Sequence, residues 1–251
     1  MWNAYFGETF FNYGVKQLSN RCIFYPFCAA GFCFKKSNSP SDAISAYKQA
    51  VTLYTDNARL SQAAKTSKEI AELYETEGED IEVHEKPHIV LAIEAYQHAA
   101  DLFDEHSKSS ASQCLLKVAE LCGTKVNPPE LSKASDIYKE VGKQCLGSNL
   151  LRFSAKGYFL QSILCLLANG DEVETGKAIR EYNICDYMFA DSREGQFAVA
   201  LLEAFSNHDA DGWRQTCTEY NSISKLTEWQ VEILLKAKEI IEGYDSEIDL
   251  T

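Results

Sequence analysis

The feature that most constrains this chain is a segment, 42–54, whose apolar positions return in register at 91–103. A shift of 49 carries Ala43 to Ala92, Ile44 to Ile93, Ala46 to Ala95, Tyr47 to Tyr96, Ala50 to Ala99 and Tyr54 to Phe103. Weaker copies follow at Ala134 with Tyr138, and at Ala178 and Ile179 with Tyr182, so the copies begin 49, 42 and 44 residues apart. A period of that size is the mark of stacked helical hairpins, each of which buries its apolar stripe only against its neighbours. The expected class is all-α, with no segment that reads as a strand.

Local signals place the helices. Ser39-Pro40-Ser41-Asp42 is a cap-then-proline start, with Asp42 placed to reach back to the cap; its helix runs to about Thr55, and 59–77 supplies the antiparallel partner, closed by Gly78. The stretch 78–90 reads as a loop, followed by a second hairpin of 91–103 and 110–122. Asn127-Pro128-Pro129-Glu130 repeats the proline start for a third pair, 131–145 and 149–167, ended by Gly170. A fourth pair opens near Thr175 and at Asp191-Ser192-Arg193-Glu194. Asp209 opens a short helix containing Trp213, and Thr227-Glu228-Trp229-Gln230 is a capping box before a last helix that Gly243 should stop. Tyr47, Tyr54, Tyr74, Tyr96 and Phe103 follow the helical period and belong to the core.

The first thirty-odd residues are different, crowded with Trp2, Tyr5, Phe6, Phe10, Phe11, Tyr13, Phe24, Tyr25, Phe27, Phe32 and Phe34 in no clean period. Lys16 and Arg21 before the apolar run 22–34 imitate a signal peptide, but Pro26 interrupts the run and it starts far from Met1. The segment reads as an irregular hydrophobic end packed on the first hairpin, with a membrane-touching segment as the alternative.

Composition removes several classes. A formal charge of −13 argues against a nucleic-acid partner, since gripping phosphates needs a basic surface. The nine cysteines are scattered and form no CxxC pair, so no metal site is expected. Cys114, Cys165 and Cys185 sit at apolar helix positions as small buried hydrophobes, in keeping with a reducing, cytosolic compartment. No Gly-rich phosphate loop, HExxH or GxSxG occurs, and His84, His88, His98, His106 and His208 are dispersed. No enzyme activity, catalytic residue or cofactor is expected.

What remains is adaptor chemistry. Lys35, Lys36, Arg59, Lys65 and Lys117 fall on particular helix ends and turns, where positive groups gathered in an acidic protein can dock an acidic helical rod. At the other end, 239–251 carries Glu239, Glu242, Asp245, Glu247 and Asp249 with no Lys or Arg, and Leu250 stands at the penultimate position. A helical-repeat adaptor that clamps peptide tails is a second reading, although no clamp set of Lys, Arg and Asn emerges from the spacing.

Longer segments narrow the choice: Ala30-Gly31 with Phe34-Lys35-Lys36, Glu69-Ile70-Ala71-Glu72-Leu73-Tyr74-Glu75-Thr76-Glu77, Cys114-Leu115-Leu116-Lys117-Val118-Ala119, and 150–159 beginning Leu150-Leu151-Arg152-Phe153. Asp191-Ser192-Arg193-Glu194, Leu201-Leu202-Glu203-Ala204 and 219–226 continue the series. From about Ala30 onward the chain resembles the soluble NSF attachment proteins, the SNAP family, of the alpha and beta type.

The resemblance implies a TPR-like antiparallel helical-hairpin solenoid with a C-terminal helical bundle, divided as a divergent hydrophobic segment 1–33, the solenoid 34–190, and the bundle with its acidic tail 191–251. It implies a cytoplasmic adaptor, peripherally associated with membranes, that lays a concave face along the SNARE four-helix complex of syntaxin-type and related SNAREs. The adaptor then recruits and stimulates the hexameric ATPase NSF for disassembly. By position, Lys35, Lys36, Arg59, Lys65 and Lys117 are the SNARE-facing residues, and Glu203, Glu247, Asp249 and Leu250 are the NSF-facing ones. The chain also departs from the family pattern. Gln113 stands in place of a lysine, Ser206 and Asn207 in place of acids, Val83 to Leu91 reads as an insertion, a smaller one surrounds Asn127-Pro128-Pro129, and residues 1–29 do not match the family's first helices. A SNAP-like variant that binds SNAREs without supporting disassembly is the alternative this leaves.

Overall fold

In the computed structural model, which describes residues 24–77 and 87–248, the chain is all-α, with no strand among the described residues. The helices are α1 (Phe24–Lys36), α2 (Pro40–Asp56), α3 (Leu60–Glu77), α4 (His88–Asp104), α5 (Lys108–Thr124), α6 (Leu131–Leu146), α7 (Arg152–Ala168), α8 (Glu172–Cys185), α9 (Arg193–Ser206), α10 (Ala210–Ile223) and α11 (Glu228–Ile248). They fall into two compact units, one up to Val118 and one from Ala119.

In the first unit α1 packs on α2, α2 on α3, and α3 on α4. The repeated apolar positions are buried as their period requires: Ala43, Ile44, Ala46, Tyr47 and Ala50 on α2, and Ala92, Ile93, Tyr96, Ala99 and Phe103 on α4. Tyr74 joins them in the core, whereas Tyr54 is only half-buried. The irregular end expected before the first hairpin is, from Phe24 onward, a helix. Pro26 lies within the described helix and does not interrupt it before Lys36. At Gly31 a Cβ would meet the Tyr47 ring at 2.5 Å, so the absence of a side chain there lets α1 lie close against the first repeat.

One turn design recurs. Asn38, Ala58, Gly170 and His208 all adopt left-handed backbone, at φ 57°, 55°, 76° and 52°. Each is followed by a residue whose N–H reaches five residues back: Ser39 to the Phe34 carbonyl, Arg59 to Tyr54, Asp171 to Leu166 and Asp209 to Ala204, at 2.8–3.1 Å. This Schellman-type closure satisfies carbonyls that the ending helix leaves over and aims the chain into the next helix. Asp171 and Asp209 then cap their helices through side-chain bonds to Glu174 and Gly212 N–H. Ser39 makes no such bond, so its helix starts on Pro40 and backbone geometry alone. Ala58 pays the Cβ penalty of the left-handed region, about 1–2 kcal/mol. Ala58→Gly is therefore expected to raise stability by about 0.5–1 kcal/mol after glycine's larger unfolded-state entropy; a thermal midpoint at or below the parent's in calorimetry would refute this.

The second unit is organised around α7, which packs on α6, α8, α9 and α11. It is apolar around most of its circumference, with Phe159, Leu160, Ile163, Leu164, Cys165 and Leu167 buried, as a central helix must be. Phe159 stacks on Tyr182 at 4.3 Å and meets Phe189 edge-on at 5.8 Å. A buried hydroxyl chain crosses three helices, Ser135 Oγ to Ser162 Oγ at 2.8 Å and Ser162 Oγ to Tyr182 Oη at 2.7 Å, which pairs every member and fixes their register. The capping box at α11 forms as read, with Thr227 N–H donating to Gln230 Oε1 and Gln230 N–H to Thr227 Oγ1. From α11, Trp229 Nε1 and Lys236 Nζ donate to the Glu120 and Gly123 carbonyls at the end of α5, at 3.4 and 2.7 Å.

Other boundaries move. The second repeat begins at His88, so 87–90 is not loop but the cap and first turn of α4; the remainder of that stretch and Gly78 lie outside the described residues. Pro128 and Pro129 precede the cap residue Glu130 and do not open α6. α7 starts at Arg152 and α8 at Glu172, and α11 continues past Gly243, because one glycine inside a packed helix costs only about 1 kcal/mol. Cys114 and Cys165 are buried as expected, but Cys185, the last residue of α8, is exposed.

Candidate partner-binding surfaces

The cations singled out in the first unit occupy four settings. Lys35 and Lys36 form the last turn of α1, exposed, where positive charge complements the helix dipole. The Lys36 ammonium lies 4.6 Å from the centroid of the Phe32 ring, itself 53% exposed. Arg59 is exposed in the α2–α3 turn, and Lys65 is exposed on the outer side of α3 with no ion-pair partner among the described residues. Because α2 has 17 residues, its two ends, one beside Lys36 and the other beside Arg59, stand about 25 Å apart. These are single charges spread along a surface, suited to an extended partner and not to a small anion.

Lys117 is placed differently. It is half-buried on α5 and its ammonium lies 3.3 Å from Glu75 Oε1, while the hydroxyl of buried Tyr96 donates to Glu75 Oε2 at 2.7 Å. Burial, then the bond to Glu75, pushes the Tyr96 hydroxyl's pKa well above its ordinary value. Glu75 thus ties α3, α4 and α5 together, and Lys117 reaches an external acid only while sharing this one. Glu75→Ala leaves the Tyr96 hydroxyl without its acceptor and is expected to cost about 1–3 kcal/mol, whereas Glu75→Gln keeps an acceptor and should recover most of it. Equal losses for the two variants in urea unfolding would rule out the network as a stabilising unit.

In the second unit Glu203 is exposed near the end of α9. Ser206, one turn on, donates to Glu172 Oε1 at 2.7 Å and so brings a carboxylate from the first turn of α8 beside the end of α9. The nearby acids have other tasks: Asp209 caps α10 through Gly212 N–H at 2.8 Å, and Asp211 pairs with Arg214 at 2.8 Å. Glu172 was not legible in the sequence, since only the packing of α8 on α9 puts it there. Glu247 belongs to the last turn of α11, and Asp249 and Leu250 lie outside the described residues.

Two apolar side chains were also missed. Leu150 and Phe153, at the α6–α7 turn, are 87% and 82% exposed. The signal was present as a Leu-Leu-Arg-Phe run directly after Gly147-Ser148-Asn149, where apolar residues have no helix stripe to join. Large side chains left in water side by side at a turn form a candidate contact surface.

With this geometry in hand, comparison with known proteins is decisive. Residues 24–242 match the family model "Soluble NSF attachment protein, SNAP". This chain belongs to the soluble NSF attachment protein family. It is 39% identical over 223 residues to the human alpha-soluble NSF attachment protein, covering 88% of this chain and 71% of that protein. It is 37% identical over 218 residues to the bovine beta-soluble NSF attachment protein, covering 86% and 69%. It is 33% identical over 204 residues to the vesicular-fusion protein SEC17 of Coprinopsis cinerea, covering 81% and 67%. For a SNAP, the helical hairpins on which α1 to α4 are built are the expected architecture, and the match begins at Phe24, where α1 begins.

Proposed function

We propose that this protein is a SNARE-disassembly adaptor, which binds the assembled SNARE four-helix complex and recruits and stimulates the NSF ATPase in vesicle fusion. The observation that carries the reading is family membership over residues 24–242, among relatives named for NSF attachment and vesicular fusion. Lys35, Lys36, Arg59 and Lys65 supply the exposed positive groups for an acidic rod, with Lys117 shared with Glu75, and Leu150 and Phe153 supply apolar anchors. Glu203 and the tail residues Glu247, Asp249 and Leu250 face NSF. Residues 34–190 serve as the SNARE-binding solenoid and 191–251 as the NSF-facing bundle and tail. The protein works in the cytoplasm, in peripheral contact with membranes. No helix among the described residues is long and apolar enough to cross one.

The test is reconstituted disassembly of purified SNARE complex by NSF, with the full chain added in solution and on liposomes. Within it, Lys35→Glu combined with Lys36→Glu is expected to weaken SNARE capture by roughly tenfold at low ionic strength and by much less in high salt, where screening already removes the term. Capture unchanged at low salt would take both residues off the SNARE-facing surface.

A further inference from the structure

We propose that the α8–α9 turn, Ile184 to Met188, is a second docking element for an acidic amphipathic helix of the same partner, extending the apolar surface of Leu150 and Phe153. This rests on the SNARE-binding reading above. Half of the exposed large hydrophobic side chains among the described residues fall in just two turns. They are Leu150 and Leu151 with Phe153 in the first turn of α7, and Ile184 in the last turn of α8 with Tyr187 and Met188 beyond it. A scatter over the surface would need no explanation, but concentration does.

The two turns are one surface because Arg152 joins them. Its guanidinium lies 3.5 Å from Asp186 Oδ1 and 5.9 Å from the centroid of the Tyr187 ring. Asp186 is only 1% exposed, and its Oδ1 also accepts the Met188 N–H at 3.3 Å. Phe189, fully buried against Phe159 and Tyr182, anchors the far end of the turn. With Asp186 and Phe189 held inside, Ile184 at 86%, Tyr187 at 75% and Met188 at 44% exposure are displayed outside on a turn tied by the Asp186 N–H to the Tyr182 carbonyl and the Phe189 N–H to the Asp186 carbonyl, both 2.8 Å. A turn tied in this way spares a partner the entropy of arranging it.

Charge selects the partner. One helical turn behind each apolar tip stands a cation with no ion-pair partner among the described residues: Lys156 behind Phe153 on α7, and Arg180 behind Ile184 on α8. Apolar side chains backed by unpaired cations match a helix with an apolar stripe and an acidic flank. An anionic lipid surface would use the same cations, but the chain's formal charge of −13 opposes it.

The experiment measures, by fluorescence anisotropy, the affinity of the full chain for purified, assembled SNARE complex at low and high salt. Ile184→Ser with Tyr187→Ser is expected to bind about tenfold more weakly at both salts, since the lost term is apolar and unscreened. Val199→Ser, at another exposed apolar position on α9, should bind like the parent. Affinity of the double variant within about twofold of the parent, while the Lys35→Glu/Lys36→Glu variant is weakened, would overturn the inference and leave the SNARE-binding reading standing. Loss of liposome flotation with SNARE affinity intact would overturn it in favour of a membrane face. A parent chain that fails to bind SNARE complex removes the reading and the inference with it. If the double variant melts early, Ile184→Asp alone is expected to show the same tenfold loss, and parental affinity for it would overturn the inference.

Discussion

Phe159→Ala is expected to lower the stability of this protein by about 3–5 kcal/mol, the cost of deleting a fully buried aromatic ring together with the cavity it leaves. The ring has no solvent exposure, stacks on Tyr182, meets Phe189 edge-on, and lies against Gly142, where a Cβ would stand 2.7 Å from it. It therefore joins α6, α7, α8 and the turn leading to α9 at a single point. Partial collapse cannot refill the space, because stacked aromatic partners have few rotamers to offer. A loss of that size is a large share of the roughly 5–15 kcal/mol that holds a typical domain folded. The measurement is denaturant unfolding followed by far-UV circular dichroism. A loss below about 1 kcal/mol would mean that the α7 core relaxes around the gap and that Phe159 is not its centre.

Leu250→Ala is expected to leave SNARE capture at the parental level while reducing stimulation of the NSF ATPase by about tenfold or more, the size of effect seen when an anchoring apolar side chain leaves an interface. The expectation rests on an acidic tail without a Lys or Arg from Glu239 onward, in which Leu250 is the last large apolar residue. The acids steer toward a basic partner surface, and the leucine supplies contact that outlasts screening. Reversing Glu247 and Asp249 to lysine should accordingly act most at low salt, whereas the leucine effect persists in high salt. Parental stimulation by the Leu250→Ala protein would sink the assignment of the tail to NSF.

Much of the fold was written in local pattern. The 49-residue return of Ala43, Ile44, Ala46, Tyr47 and Ala50 named the core faces of α2 and α4, because helical spacing leaves one stripe to bury. The Thr227–Gln230 box worked as read because both of its bonds close within one turn. Errors came where a local rule met a tertiary setting. Pro26 interrupts the apolar run by residue type, yet it lies inside the described helix α1, and packing of α1 on α2 supplies the reason to be helical. Ser39 had the residue type of a cap without the bond, and Gly243 the type of a stop without the end.

The candidate sites divide in the same way. The exposed cations Lys35, Lys36 and Arg59 were legible because a charge at a helix end or turn stays in water whatever the helix packs against, whereas Lys65, expected at such an end, lies within α3 on its exposed side. Lys117 was legible only as a charge, since its link to Glu75 and Tyr96 spans 42 and 21 residues. By itself, then, the sequence determined the class, the hairpin period, the core stripes and the family, all of which follow from spacing within a helix or from ordered local segments. Only the tertiary structure decided which charges are spent internally, which acid Ser206 recruits, and that Arg152 joins two apolar turns into one surface. Those outcomes depend on side chains that meet across helices, through distances that no one-dimensional spacing encodes.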